Sequence, residues 1–142
     1  MNVIIAGSRW IGAEAEGKPT SDVVGEQQLI YAAIREAHES WSIYKYSELA
    51  VIVGRAKGVD TVAEYWAKGN GVDSKPMPAD WDKHGKKAGF IRNEDMANAA
   101  GPDGRLILIW DGKSRGSKMM LDIAKRRGMV VFEKIVSQKH GV

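Results

Sequence analysis

Cysteine is absent from the 142-residue sequence, and long apolar runs are absent as well. The lack of cysteine excludes disulfide bonds and thiolate chemistry, and it fits a reducing interior. No apolar run approaches the roughly 18 residues that a membrane-spanning helix needs, so no membrane partner is expected. Residues 1–7 have the pattern of a strand that leads directly into a turn, and we expect no signal peptide. The sequence thus predicts a cytoplasmic protein.

Histidine is scarce, and the chain carries only a small excess of positive charge. His38, His84 and His140 are widely separated and show no metal-ligand spacing, so we predict no metal site and no resident cofactor. The net charge of +3, from 21 basic and 18 acidic side chains, is compatible with nucleic acid and equally with a phosphorylated small molecule. The charge alone leaves both partners open.

Apolar runs alternate with helical periodicity along the whole sequence, with short connections. The runs lack polar alternation, as expected for strands covered by helices on both faces. This pattern predicts one α/β domain over residues 1–142, a Rossmann-like doubly wound parallel sheet of about five strands. The predicted strands are residues 3–6, 49–53, 72–77, 105–110 and 129–132. The predicted helices begin after an N-cap at Asp22 and at Val59, and span residues 88–99 and 117–127, with loops at 10–22 and 78–87 and a frayed tail beyond Glu133.

Three glycine-rich turns follow predicted strands: the first turn (residues 7–9), the second turn (54–60) and the third turn (111–117). Parallel strands end at one edge of a sheet, so these turns should meet there and hold a nucleotide-like phosphorylated ligand between glycines, cations and helix N-termini. The alternative is that the glycines only form tight turns and the cations are solvated. The predicted ligand-binding residues of the turns are Gly7, Ser8, Arg9, Gly54, Arg55, Ala56, Lys57, Gly58, Asp60, Asp111, Gly112, Ser114, Arg115, Gly116 and Ser117.

Further candidate residues lie at helix starts and in the later loop. Asp60 is either a helix cap or a carboxylate that accepts hydrogen bonds from ribose hydroxyls. Asp80 and Trp81 open the loop at residues 78–87, and Asn93 lies on the following helix. Arg92 on that helix could hold a phosphate with two parallel hydrogen bonds, or it could pair with a nearby acid such as Asp95. We include Asp80, Trp81, Arg92 and Asn93 among the predicted ligand-binding residues.

Tryptophan is the other residue type with a predicted role near the turns. Trp10, Trp81 and Trp110 lie in or beside the loops, where each could stack on a base or simply pack. The spacing of Trp66 along its helix favours the core. The cations of residues 125–127 end a helix, where they complement the helix dipole or, alternatively, contact nucleic acid.

Five motifs in order carry a family resemblance: IIAGSR, GRAKGVD, PADW, AGxxRNxxMA and WDGKSRGS. They resemble the YspA-type branch of the SLOG superfamily, the Rossmann-like relatives of the DNA-processing protein DprA and of the cytokinin-activating LOG enzymes. The match runs from Val3 to about Ala124. The resemblance implies binding of nucleotide derivatives, often by sensors or processors in phage, plasmid or stress contexts. Because LOG-like relatives pair, it is also compatible with a homodimer.

The resemblance is incomplete where LOG enzymes carry out catalysis. Arg92 and Met96 match the R-x-x-x-M helix, which carries a catalytic arginine in LOG enzymes, and Gly116 and Ser117 match the G-T of their phosphate-binding turn. Aligned without gaps, however, the position of the LOG catalytic glutamate is Met120. The resemblance therefore leaves open whether this chain is an enzyme. The loop at residues 10–22 is also longer than the family's usual first turn, which suggests a lid or a different ligand shape.

Three functions follow from these residues. The first is a nucleotide-derivative binding protein that acts as a sensor or sequesters its ligand. The second is an N-glycosidase or nucleotide hydrolase in which Arg92 holds the phosphate and another carboxylate acts as acid or base. The candidate carboxylates are Asp60, Glu64, Asp80 and Glu94. The third is a DprA-like nucleic-acid partner that uses Lys86, Lys87, Arg115 and the cations of residues 125–127.

Overall fold

A five-stranded parallel sheet forms the centre of the computed structural model, which describes residues 1–138. The strands are β1 (Asn2–Gly7), β2 (Ala50–Val53), β3 (Asp73–Pro76), β4 (Arg105–Trp110) and β5 (Val130–Ile135). The helices are α1 (Thr20–Ser40), α2 (Val59–Gly69), α3 (Trp81–His84), α4 (Ala88–Ala100) and α5 (Arg115–Arg126), with 3-10 turns at Tyr46–Glu48 and Gly85–Lys87. The predicted α/β Rossmann-like fold is confirmed.

The strand order β3-β2-β1-β4-β5 places β1 at the centre of the sheet. The chain builds outward from β1 to β3 on one side and then crosses to β4 and β5 on the other, so the strand order reverses between β1 and β4. At that point Gly7 of β1 is paired with Ile109 of β4. In open parallel sheets the crevice outside the carboxyl ends of such strands is the usual ligand site.

Helices cover both faces of the sheet, as the unbroken apolar strands predicted. Alternate residues of β1 pack on opposite faces of the sheet. Val3 and Ile5 lie in one buried cluster with residues of α1 and α2. Ile4 and Ala6 lie in a second buried cluster with residues of α4 and α5. Trp66 belongs to the first cluster at 7% exposure, which confirms the prediction that it is a core residue. The two cores fix the strand ends in place, and with them the turns.

Two predicted helix starts are wrong. Asp22 is not the N-cap of α1, which begins at Thr20 after Pro19; Asp22 lies in the first turn. Proline fixes φ near the helical value and lacks an N–H that would otherwise need an acceptor, so it suits a helix start. Helix α5 begins at Arg115, two residues before the predicted start, and ends at Arg126. Its N-cap is Ser114, whose carbonyl accepts the first helical hydrogen bond, from the N–H of Lys118.

Two segments that were predicted to be irregular are ordered. The loop at residues 78–87 contains α3, whose N-cap Asp80 accepts a hydrogen bond from the N–H of Lys83 at 3.1 Å. Strand β5 continues past Glu133 to Ile135, because the main chain of β5 pairs with β4 and this pairing does not depend on the side chains. The next residue, Val136, is buried. The remainder of the predicted frayed tail, residues 139–142 with His140, lies outside the described residues. No helix within residues 1–138 is long and apolar enough to cross a membrane.

Candidate functional site

The first and third turns are joined by hydrogen bonds at the point where strand order reverses. The hydroxyl oxygens of Ser8 and Ser114 lie 2.7 Å apart. Ser8 Oγ also accepts a hydrogen bond from the N–H of Asp111 at 3.1 Å, and Ser8 is only 1% exposed. These bonds fasten the end of β1 to the end of β4, as the shared edge of parallel strands predicted.

Asp111 organises the third turn with its carboxylate. One oxygen accepts hydrogen bonds from the N–H groups of Lys113 and Ser114 and from the Ser114 hydroxyl, and the other accepts from the Trp10 indole at 2.9 Å. Although burial alone would raise the pKa of Asp111, the hydrogen bonds from Trp10, Lys113 and Ser114 hold it well below its ordinary value. The carboxylate is therefore charged at all ordinary pH values, and it is occupied in positioning the turn.

The second turn packs so closely on its neighbours that two of its residues must be glycine. Gly58 has a φ of +80°, and a Cβ there would lie 2.6 Å from the carbonyl oxygen of Ser8 and 2.5 Å from that of Arg9. A Cβ on Gly54 would collide with the guanidinium of Arg92. The close approach of protein groups thus accounts for both glycines, and it presses the second turn against the first.

Asp60 and Arg92 form the buried centre beneath the second turn. Asp60 is 4% exposed, and its Oδ2 accepts a hydrogen bond from the N–H of Ala56 at 3.1 Å. Burial raises the pKa of Asp60 to about 6, even though the N–H of Ala56 and the charge of Arg92 oppose the shift. Arg92 Nη1 donates to the carbonyl oxygen of Gly54 at 2.6 Å, so the predicted alternative of an Arg92–Asp95 pair is not formed.

Helix α4 joins the second and third turns through two adjacent residues. Arg92 Nε donates to Asn93 Oδ1 at 2.9 Å, and Asn93 Nδ2 donates to the carbonyl oxygen of Gly116 at 3.3 Å. Asn93 is 4% exposed, so this link lies inside the protein. The structure therefore brings together Gly54, Asp60, Arg92, Asn93 and Gly116, which the sequence spreads over 63 positions.

Four exposed cations of the three turns form no ion pair within residues 1–138: Arg9, Lys57, Lys113 and Arg115. Arg9 and Lys57 are exposed, and neither forms a hydrogen bond or ion pair with any residue in the described range 1–138. Both line a cavity of about 790 Å³ that lies beside the first and second turns. The charge of Arg9 also reaches the buried pair, because it lowers the pKa of both Asp60 and Arg92 as a minor contribution. An anion at this edge would meet unpaired cations.

Arg55 and Glu64, by contrast, are engaged with each other. Two nitrogens of Arg55 donate to the Glu64 carboxylate, both at 3.2 Å, and Lys68 lies 3.5 Å from it. The hydrogen bond from Arg55 lowers the pKa of Glu64, so this carboxylate is poorly suited to act as an acid. Arg55 also has a φ of +57°, a strained conformation for a residue with a side chain.

The other predicted site residues have different roles or surroundings. Asp80 caps α3, and Trp81 is 52% exposed. Glu94 pairs with Arg126 at 2.8 Å and with Arg127 at 2.6 Å, which occupies two of the six cations predicted for nucleic acid. Met120, at the position of the LOG glutamate, is 1% exposed within the core cluster that includes residues of α4 and α5.

The tryptophans near the turns mainly pack. Trp110 is 4% exposed and donates its indole N–H to Glu133 at 2.7 Å. Trp10 donates to Asp111, and the Lys18 ammonium lies 5.7 Å from the centre of its ring. Within residues 1–138 no cluster of three or more histidine, aspartate or glutamate side chains could hold a metal ion.

The sequence interpretation missed the residues that close the long first loop. Lys18 Nζ donates to the carbonyl oxygens of Trp10 and Ala13 and to Glu26 Oε1, at 2.7, 2.8 and 2.6 Å. A lysine and a glutamate eight positions apart across a loop form no recognisable pattern, so no sequence signal marks them.

Comparison with known proteins agrees with the motifs. The family model described as "YspA, cpYpsA-related SLOG family" matches residues 1–84, which include the first and second turns. The "Gene 61 protein" of Mycobacterium phage D29 is 38% identical over 89 residues, covering 59% of this chain and 70% of that protein. No solved structure matches the chain. The chain therefore belongs to the YspA, cpYpsA-related SLOG family.

Proposed function

We propose that this protein binds a nucleotide or nucleotide derivative at the edge where the three turns meet, and that it acts as a sensor or sequesters its ligand. The observation that carries the proposal is the pair of exposed cations Arg9 and Lys57, which have no hydrogen-bond or ion-pair partner among residues 1–138. They lie beside the three turns, which are held together by hydrogen bonds and close packing. Membership in the SLOG family supports the same ligand class.

The helices that follow the turns add to the attraction for phosphate. Helices α2 and α5 begin at Val59 and Arg115, directly in or after the second and third turns. The first N–H groups of a helix lack intrahelical acceptors, and the positive end of its dipole favours an anion. Arg9 and Lys57 supply full charges next to these partial ones. Phosphate groups are therefore the part of a ligand that this edge binds best.

The chemistry of the residues favours binding over LOG-type catalysis. The position of the LOG glutamate is a methionine packed in the core, and Arg92 spends two of its nitrogens on Gly54 and Asn93. Arg92 thus holds the second turn in place through its hydrogen bond to the main chain of Gly54. This leaves the unpaired cations of the turns, Arg9, Lys57 and Arg115 among them, as the groups that meet the ligand.

The test is isothermal calorimetry and thermal shift with a panel of nucleotides, ADP-ribose and cyclic nucleotides. We expect at least one compound to bind, and Arg9→Gln or Lys57→Gln to weaken it about tenfold, because a charge-assisted hydrogen bond contributes roughly 1.5–3 kcal/mol. Lys45→Gln is the matched control, since Lys45 is exposed and precedes β2 at the opposite edge of the sheet. If no compound binds or stabilises the protein, the proposal is wrong.

A hydrolase at the same site is the second candidate, and the pKa of Asp60 favours it. A buried carboxyl group with a pKa of about 6 beside a guanidinium can exchange a proton near neutral pH. Deprotonated Asp60 would take a proton from water as the water oxygen bonds to the sugar carbon and the bond from that carbon to the base breaks, and protonated Asp60 would then give this proton to the departing base. Incubation with nucleoside monophosphates should then release free base, and Asp60→Asn and Arg92→Ala should abolish it. Absence of free base would eliminate this candidate.

A further inference from the structure

The loop between β1 and α1 borders an open cavity that extends beyond the three turns. Its volume is about 790 Å³, within the range of small-molecule sites. Apolar side chains line much of it, among them Trp10, Leu29 and Val136. Arg9 and Lys57 also line it, and because they belong to the first and second turns they mark where the cavity adjoins the phosphate edge.

The shape of this cavity is fixed by side chains of the loop and of α1. Lys18 ties together the carbonyl oxygens of Trp10 and Ala13 and the carboxylate of Glu26. The same carboxylate oxygen accepts the N–H of Gly12 at 2.8 Å. Lys18 and Glu26 are only 15% and 18% exposed, so solvent competes little with their pairing. The loop is therefore held on α1 before any ligand arrives, which favours affinity through preorganisation.

The charges around the cavity set the orientation of a ligand. Two unpaired cations, Arg9 and Lys57, lie on the side of the turns, and two exposed acids, Glu14 and Glu16, lie on the loop. An anionic group is attracted to the first pair and repelled by the second. The part of the ligand beneath the loop must therefore be uncharged and partly apolar.

We propose that the cavity holds the base and sugar of a nucleoside diphosphate, free or substituted, whose two phosphates lie at Arg9 and Lys57. This inference rests on the proposed function and adds the ligand class and the location of its uncharged half. The two cations fit the charged phosphate end of such a ligand, and the adjoining, largely apolar wall fits its uncharged base. Contacts between the loop and the base therefore increase the affinity for the nucleotide, and inorganic phosphate and pyrophosphate cannot form these contacts.

Gly25 offers a substitution that fills the cavity and leaves the turns intact. It lies in α1, lines the cavity, and a Cβ there would meet nothing within 4 Å. Leucine favours helix more than glycine does, so Gly25→Leu should fold and melt at or above the wild-type temperature. Gly69→Leu is the matched control: Gly69 is the last residue of α2, also has open space, and is not among the cavity residues.

The experiment is calorimetry with ADP, GDP, UDP and inorganic pyrophosphate on the wild type and both variants. We expect a nucleoside diphosphate to bind the wild type more tightly than pyrophosphate. Gly25→Leu should weaken the nucleotide at least about tenfold and leave pyrophosphate unchanged, because only the buried base is displaced. Gly69→Leu should change neither affinity.

The outcomes separate this inference from the proposed function. If Gly25→Leu binds the nucleotide as the wild type does, or if pyrophosphate binds the wild type as tightly as the nucleotide, the base does not lie beneath the loop. In either case the phosphate edge, and the proposed function with it, still stands. If neither the three nucleotides nor pyrophosphate bind the wild type, this inference is wrong, and the proposed function is wrong as well only if the wider panel with ADP-ribose and cyclic nucleotides also fails to bind.

Discussion

His38 is a fully buried imidazole whose two ring nitrogens have no hydrogen-bond partner among residues 1–138. Its ring packs against those of Trp41, Tyr46 and Trp66, with centroids 6.2, 5.7 and 5.4 Å away. His38→Phe keeps a ring in this aromatic cluster and removes two unsatisfied polar atoms. Because such an atom destabilises a protein by roughly 1–3 kcal/mol, we expect the variant to raise the free energy of unfolding by about 1–3 kcal/mol at pH 7.

The same residue makes the protein sensitive to acid. Burial lowers the pKa of His38 from 6.5 to about 4. Below pH 6.5 the imidazole of His38 binds a proton in the unfolded chain and not in the folded protein, so the contribution of His38 to stability falls as pH decreases from 6.5 towards 4. This difference between the unfolded and folded pKa values of His38 lowers the free energy of unfolding by roughly 3 kcal/mol when the pH reaches about 4. Above pH 6.5 the imidazole is neutral in both states and adds no pH dependence.

Urea unfolding of wild type and His38→Phe at several pH values from 7 to 4 measures both effects. The difference between the two proteins should widen steadily as pH falls below 6.5. His84→Phe is the control, because His84 on α3 is partly exposed and should change the free energy of unfolding little. Equal stability of wild type and His38→Phe at pH 7, with parallel pH profiles, would refute the assignment of His38 as an unsatisfied buried base.

Three further predictions concern the site. Gly58→Ala should lower the free energy of unfolding in urea by about 2–4 kcal/mol, because the new Cβ meets two carbonyl oxygens. Gly112→Ala is the control: Gly112 has a φ of +78° but open space around it, so the free energy of unfolding should fall by only about 1–2 kcal/mol. Met120→Glu should lower the melting temperature and create no hydrolase activity, since it buries a carboxylate in the core. Folding raises the pKa of Asp60 to about 6, so the contribution of Asp60 to the free energy of unfolding is complete below about pH 3.8 and is lost as pH rises through about 6. Asp60→Asn should remove this trend from the free energy of unfolding measured in urea at different pH values.

The sheet and the turns could be predicted because their signals are local. Apolar runs identify β1 and β4, and a glycine directly after β2 marks a turn, so a parallel sheet with the turns at one edge follows from general rules. β5 was predicted too short because Glu133 and Lys134 interrupt its apolar run, while its main-chain pairing with β4 tolerates any side chain facing solvent.

The contacts that shape the site could not be predicted, since they join residues distant in sequence. The reach of Lys18 to Glu26 depends on the path of an irregular loop, and the link from Arg92 through Asn93 to Gly116 depends on where α4 packs. Predicting Asp22 as an N-cap failed because Pro19 had already set the helix start. Sequence patterns place residues on elements, and packing then decides which of them touch.

The bond between Ser8 and Ser114 spans 106 positions, and this separation affects how the protein folds. A contact between residues so far apart closes a long loop of chain, which costs more conformational entropy than a local contact does. β1 can pair with β2 early, but the site stays incomplete until β4 adds to the other side of β1. A ligand at this edge would therefore recognise only chains that have finished assembling, and by mass action it would draw partly folded ones towards completion.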